Sequence, residues 1–266
     1  MISSDFRLAA RRKLDGKWGK AALITLAYAF IFFLLGFIQG LLGEDTFIGQ
    51  LFNIAQFIIN VPLAFGIAIS FFKLYNDSEV SAFDFLSSGF SNFKKSWAIS
   101  LRIALKLIVP IIVLVVGLSL MIAAAITSSV ALISTLGASY TFSYAASTLT
   151  GSSLVLFIVG FIAMIVADIW IFVKSYYYKL AYIAAIDDEN LTAKESVEFS
   201  EKIMTGKRGK LFCLELSFIG WAILAVFTFG IGMLWLLPYI QFATIAFYFF
   251  VSGKDVNTVE TQKVSE

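Results

Sequence analysis

Every one of the twenty lysines and arginines in this chain falls on alternate sides of a series of apolar runs. Arg7, Arg11, Arg12, Lys13, Lys17 and Lys20 precede the first run. Lys73, Lys94, Lys95, Arg102 and Lys106 lie between the second and third. Lys174, Lys179, Lys194, Lys202, Lys207, Arg208 and Lys210 lie between the fourth and fifth, and Lys254 and Lys263 follow the last. The other connections carry only Glu44 and Asp45 as charges. Cations confined to every second connection are the positive-inside pattern. The chain is therefore expected to be all-α, a polytopic transmembrane helical bundle of six spans arranged as three hairpins. Both termini are expected in the cytoplasm, and residues 1–266 are expected to form a single membrane domain.

Composition agrees. Hydrophobic residues make up 59% and charged residues 14%, against roughly 25% charged in soluble domains. The net charge of +2 hides the polarity across the membrane. The basic blocks suit a bilayer with an anionic cytoplasmic leaflet, where each cation contributes on the order of 1 kcal/mol. No separate basic domain is present, so nucleic acid is not an expected partner. Histidine is absent, which removes the commonest general base and the commonest zinc ligand. Cys213 is the one cysteine. No metal ligand set, cofactor motif or lipid-attachment motif is visible. The first apolar run is too long for a signal-peptide core and no small-x-small cleavage site ends it, so it reads as a retained span.

Spans of about the 20 residues that cross a hydrocarbon core fit residues 21–42, 47–72, 103–126, 153–173, 211–229 and 233–251, with a polar tail over 252–266. Gly230-Ile231-Gly232 makes the last two a tight hairpin. Residues 127–152 are rich in Ser, Thr, Ala and Tyr and uncharged. Two readings stay open there, a re-entrant helix and a lid on the outer surface. Amphipathic cytoplasmic surface helices are expected over residues 4–14, 81–93 and 193–205. The last has a capping box at Thr192-Ala193-Lys194-Glu195 and a stop at Gly206. Its wheel puts Ala193, Val197, Phe199, Ile203 and Met204 on the buried side. Tyr176, Tyr177, Tyr178 and Tyr182 with Trp170 read as an interfacial aromatic belt, and Trp221 and Trp235 as packed deeper.

The chain echoes itself. Gly16-Lys17-Trp18-Gly19-Lys20 opens the first run and Gly206-Lys207-Arg208-Gly209-Lys210 the fifth, with a looser version, Phe93-Lys94-Lys95-Ser96-Trp97, ahead of the third. Duplication of a hairpin and convergence on a common junction both account for this. The first of these motifs, Ser200-x-x-x-Met204-x-Gly206, Ser217-Phe218-Ile219-Gly220-Trp221, Pro238-Tyr239 and Phe247-Tyr248 together resemble an uncharacterised family of Gram-positive bacterial polytopic integral membrane proteins, catalogued only as a domain of unknown function. The resemblance implies a multi-pass protein of the bacterial cytoplasmic membrane. It implies no activity and no functional residues.

Two constellations invite a functional reading. Gln50, Asn53, Gln56 and Asn60, spaced three, three and four, fall on one face of the second span. Four carboxamides cannot comfortably face lipid, so the stripe serves either as interhelical hydrogen-bond glue or as the polar lining of a solute path. Pro62 frees a carbonyl near Ile58. The second constellation is charged. Asp168 and Glu215 sit about 9 Å and 7.5 Å inside the membrane at helical rise, near the level of Arg102 and Lys106. The expectation is an interhelical cluster that closes the cytoplasmic end of the bundle, or a proton or cation site. No catalytic motif is present: neither a Gly-x-Ser-x-Gly elbow, nor a phosphate loop, nor His-Glu-x-x-His. The expected function is that of a non-enzymatic accessory or interaction protein contacting other membrane proteins. The alternative is a small transporter or channel for a neutral or lipid-like solute, using the polar face of the second span.

Overall fold

The computed structural model describes residues 2–43, 45–136 and 142–254, with side chains throughout except at 130–136 and 142–150. The described residues form twelve helices: α1 (Ser3–Leu14), α2 (Trp18–Leu42), α3 (Phe47–Tyr75), α4 (Asp84–Ser91), α5 (Phe93–Lys106), α6 (Ile108–Leu136), α7 (Phe142–Tyr178), α8 (Ala181–Asp187), α9 (Ala193–Met204), α10 (Arg208–Leu216), α11 (Ile219–Phe227) and α12 (Met233–Ser252). Six stretches are long and apolar enough to cross a membrane: Trp18–Leu42, Phe47–Tyr75, Ile108–Ser129, Gly151–Asp187, Arg208–Phe227 and Met233–Ser252. The chain is an all-helical, multi-pass membrane protein.

It divides into two compact units. The first holds the described residues up to Arg102 and those from Tyr177 onward; the second holds 103–176. In the first, the inner layer is the C-terminal half of α3 and most of α12. Leu63, Phe65, Phe71, Phe242, Phe247 and Tyr248 are each at most 1% exposed. Helices α1 and α4 cover this layer. Phe6 of α1 meets Phe247 edge-on at 5.2 Å, and Phe85 of α4 meets Tyr28 of α2 at 5.6 Å. In the second unit, α6 and α7 approach closely where Gly117 faces Gly160; a Cβ on Gly160 would lie 2.7 Å from the Gly117 carbonyl oxygen. Ser128 donates to Ser153 further along, at 2.9 Å. Such small-residue contacts are how helices associate in lipid, where burial alone gives no drive.

Several element boundaries differ from the sequence expectation. The third span begins at Ile108, because Ile103 to Lys106 complete α5. Pro110 has no N–H for the Lys106 carbonyl, and the Leu107 N–H is shared between Ile103 and Ala104. Helices α6 and α7 run 29 and 37 residues, about 44 and 56 Å. Helix thus takes up 127–136 and 142–152; 137–141, Glu44 and the tail from 255 lie outside the described residues. The fifth span is interrupted. Ser217 N–H is shared by the Cys213 and Leu214 carbonyls, and Phe218 N–H bonds Glu215, so α10 ends and α11 starts anew. The Gly230–Gly232 turn joins α11 to α12 as expected, with Gly230 N–H on the Ala225 carbonyl at 3.0 Å.

On α9 the capping box forms: Thr192 Oγ1 accepts from Glu195 N–H and Glu195 Oε2 from Thr192 N–H. The Thr192 N–H and the Thr192 hydroxyl both donate to the Glu195 carboxylate and hold it below its usual range. The buried side is turned relative to the wheel. Ser196, Val197, Ser200 and Met204 are buried while Phe199 and Ile203 stay half-buried. Serines win because their size lets the helix approach backbone: Ser200 Oγ donates to the Tyr177 carbonyl at 2.7 Å. The aromatic belt is also reassigned. Trp170, beneath Lys174 at 5.7 Å, keeps an exposed place. Tyr178 is 5% exposed, and Tyr182 packs edge-on to Phe65 and shares a 2.6 Å hydrogen bond with Ser100.

Candidate functional site

The carboxamide stripe lies on α3, which Thr46 caps by accepting from Gly49 N–H at 3.0 Å. Gln50 and Asn53 are exposed, Gln56 and Asn60 half-buried. The Asn60 Oδ1 is buried with no hydrogen-bond partner. Pro62 removes the donor that the Ile58 carbonyl would otherwise meet; the indole Nε1–H of Trp97 supplies one from α5, at 3.1 Å. Phe57 meets the same indole edge-on at 5.8 Å. Sequence reasoning missed Gln39. It is 8% exposed on α2 and donates to the Gly49 carbonyl at 3.4 Å, leaving its own oxygen buried and unpartnered. A lone glutamine in an otherwise apolar run was the available signal. The stripe carries hydrogen-bonding groups but no ionisable or nucleophilic one, so its chemistry is recognition.

The four charged candidates belong to different units. Glu215 and Arg102 fall in the first, Lys106 and Asp168 in the second. Glu215 is ion-paired with Lys179, a cation outside the expected set. Arg102 on α5 and Asp168 on α7 are exposed. The acidic run after α8 is structural: Asp187 accepts from Tyr248 at 2.8 Å and pairs with Lys254, and Asp188 accepts from Asn190 N–H.

Lysine ammoniums stitch the hairpin ends. Lys17 Nζ donates to the Leu74 carbonyl at 2.9 Å at the end of α3. Lys95 donates to the Ala185 and Glu189 carbonyls at 2.9 and 3.0 Å around the end of α8. Lys207 donates to the Val251 carbonyl at 3.2 Å at the end of α12. Each serves carbonyls that a helix C-terminus leaves without intrahelical donors. Asp77 joins the first stitch, 2.5 Å from Lys17 and 3.2 Å from Lys13. The hydrogen bond from Lys17 dominates in holding its carboxyl below the usual range. A folded-state pKa that is depressed means stability present above the unfolded value and lost as pH falls through the folded one. Asp77→Asn is therefore expected to lower the thermal midpoint near neutrality and to converge with the parent on acidification, beginning near the ordinary aspartate value and complete below the depressed folded one. The difference will be small, because the Asp77 side chain is 64% exposed and screened. Asparagine tolerates the positive φ of 63° at this position, so the substitution adds no backbone strain and removes the charge and one of the two acceptor oxygens that meet Lys17 and Lys13.

One cleft stands out in the first unit, about 650 Å³ in volume. Arg11 and Asp15 of α1 and its C-cap line it with Trp18 on the side of Tyr239, and Thr228 and Gly232 line it at the α11–α12 turn, where Gly232 N–H donates to Thr228 Oγ1. Trp221, Trp235 and Tyr239 form its walls. Trp221 and Trp235, expected to pack, are 47% and 46% exposed. Tyr239 is the fixed wall. Phe218 meets it at 4.9 Å and Trp18 at 5.9 Å, both edge-on. Its hydroxyl donates to the Arg7 carbonyl at 3.4 Å, and the Arg11 guanidinium lies 5.7 Å over its ring. The α10–α11 interruption shapes this wall by turning Phe218 inward, and Arg7 Nη1 donates to the Ser217 carbonyl there at 3.5 Å.

No curated protein and no solved structure matches the chain. A family described as "Protein of unknown function (DUF975)" matches residues 1–255, nearly the full length. The six apolar spans, their glycine–lysine junctions and that match agree, and the chain belongs to this family.

Proposed function

We propose that this chain is a non-enzymatic protein of a Gram-positive bacterial cytoplasmic membrane, with both termini on the cytoplasmic side, that acts by docking other membrane proteins through α3. The observation that carries the reading is the exposure of Gln50 and Asn53 on a membrane-crossing helix. Their neighbours Phe47, Ile48, Leu51, Ile54 and Phe57 are exposed and apolar, as a lipid-facing surface requires. A carboxamide turned to hydrocarbon lacks hydrogen-bond partners; a partner helix supplies them at about 0.6 kcal/mol per contact. The basic lead-in segments anchor the chain on the anionic leaflet. One observation favours the second reading, a path for a neutral or lipid-like solute: the half-buried Gln56 and the unpartnered Asn60 oxygen.

Single cysteines at Asn53, Gln56 and Asn60, in a Cys213→Ser background, separate the two. With Asp45→Cys as the accessible control, intact cells are treated with a small water-soluble thiol reagent. Docking through a dry face predicts that all three stripe cysteines stay unlabelled while the control reacts, and that Asn53→Cys crosslinks to a neighbouring membrane protein. Labelling along the whole stripe would establish a wet path and displace the docking reading.

A further inference from the structure

We propose that the cleft between α1, α11 and α12 binds one phospholipid with a zwitterionic, amine-bearing headgroup. Its phosphate would meet Arg11, its amine Asp15, and one acyl chain would run along Trp221, Leu224 and Trp235 toward Thr228. This assignment is independent of the reading of α3.

Volume, polarity and charge all point the same way. At about 650 Å³ the cleft falls within the roughly 300–1,000 Å³ of small-ligand sites. Its long walls are aromatic and aliphatic, while charge is confined to the Arg11–Asp15 end. That is the distribution of an amphiphile. The apolar wall is open to the bilayer: Leu224 is 57% exposed, with Trp221 and Trp235 close to half. An acyl chain can therefore enter sideways without leaving hydrocarbon. Trp18 stands at the charged end, where an indole suits the boundary between headgroups and chains.

The charge pair selects the headgroup. Arg11 and Asp15 are one helical turn apart, so they face the same way. Both are exposed, and neither makes an ion pair with the other or elsewhere among the described residues. Among the described residues Arg11 makes no hydrogen bond or ion pair, and its guanidinium lies over the Tyr239 ring, which leaves the guanidinium fork open to phosphate oxygens. A purely anionic headgroup would satisfy Arg11 and be repelled by Asp15. A headgroup with a phosphate followed by a primary ammonium satisfies both.

Three of the five tryptophans, Trp18, Trp221 and Trp235, line this cleft, so in a chain with Trp97 and Trp170 replaced by phenylalanine the fluorescence reports on it. The full chain would be placed in nanodiscs of phosphatidylglycerol containing a minor fraction of acyl-dibrominated phosphatidylethanolamine, or the same fraction of dibrominated phosphatidylglycerol. The expected result is stronger quenching by the ethanolamine lipid, with an apparent association about two- to fivefold tighter, as one exposed ion pair allows. Asp15→Asn should abolish that preference, and Arg11→Gln should weaken quenching by both lipids. Leu224→Phe, which narrows the apolar wall and leaves both charges in place, should weaken it for both as well. Circular dichroism checks that each variant keeps its helix. Equal quenching by the two lipids, unchanged in Asp15→Asn and Arg11→Gln, would mean ordinary annular lipid and overturn the site. Absence of quenching by either lipid, with the chain dimeric, would mean that a second copy fills the cleft and would overturn it equally.

Discussion

Gly66→Val is expected to remove most of the stably folded protein, measured as the monodisperse fraction surviving detergent extraction and as the thermal midpoint of what remains. The cause is the crossing of α3 and α4. A Cβ at Gly66 would overlap the Phe85 carbonyl oxygen and lie 2.9 Å from Gly89 N; one at Gly89 would overlap the Pro62 carbonyl oxygen. The obstacles on both sides are backbone, so no rotamer change relieves them. The two helices must separate, and separation uncovers Phe85 and Leu63, now 0% and 1% exposed, which with Ala27 form the cluster joining α2, α3 and α4. Overpacking of this kind costs about 3 kcal/mol or more, a large fraction of a typical total of about 5–15 kcal/mol. Gly36→Ala is the control. It is also a helical glycine in a span, but a Cβ there meets nothing within 4 Å. It is expected to be neutral or to stabilise by about 0.5–1 kcal/mol. Equal stability of Gly66→Val and the parent would show that α3 and α4 do not cross this way.

Much of this architecture is written in local chemistry, and that part was legible. The six spans come from hydropathy and the hairpin turn from Gly230 and Gly232. The α9 start comes from Thr192 and Glu195. Pro62 announced a freed carbonyl at Ile58, although only the structure shows that Trp97 takes it. What depended on distant partners was not legible. Ser217 and Phe218 interrupt a span with no proline at the break, and Phe218 turns onto Tyr239. Pro110 sits inside an apolar run, so hydropathy merged the end of α5 with α6. Arg102 and Lys106 were assigned to the membrane for that reason. Ser196 and Ser200 look like a polar face but are buried at 0% exposure, because a small side chain permits backbone contact that Phe199 would block. The cleft gathers Arg11 and Trp18 with Trp221 and Trp235 across some two hundred residues, and no spacing rule finds that. The carboxamide stripe was visible from its period alone, but which of its members face outward was not.

Substituting methionine for Lys17, Lys95 or Lys207 is expected to cost about 1.5–3 kcal/mol each, the range for a hydrogen bond made by a charged group, read as a fall in the denaturation midpoint. Lys20→Met and Lys94→Met, which alter exposed neighbours of the same charge, should stay within about 0.5 kcal/mol. The prediction rests on a geometry that recurs. Gly16 and Gly206 have φ of 72° and 76°, the left-handed conformation that ends a helix at low strain. The residues before them have φ, ψ of −57°, 130° and −61°, 122°, and Lys17 and Lys207 after them −116°, −1° and −113°, −1°. Leu14 and Met204 ahead of the turn are 0% exposed, as are Ala21 and Leu211 beyond it. A common taste for glycine and lysine at helix junctions explains the composition of these turns. It does not explain why the ammonium in each reaches the end of the return helix of its own hairpin, and Lys95 likewise reaches carbonyls around the end of α8 without a glycine. Repetition of one unit, a lead-in helix, a latch and a hairpin, explains all three. If that is so, the latches are equivalent parts, and loss of any one should loosen its own hairpin alone. Hydrogen exchange should then quicken at Leu74 to Ser78 in Lys17→Met, at Ala185 to Glu189 in Lys95→Met and at Val251 to Lys254 in Lys207→Met. A uniform change across all three regions for any single substitution would contradict equivalence, and would assign that lysine to the common core.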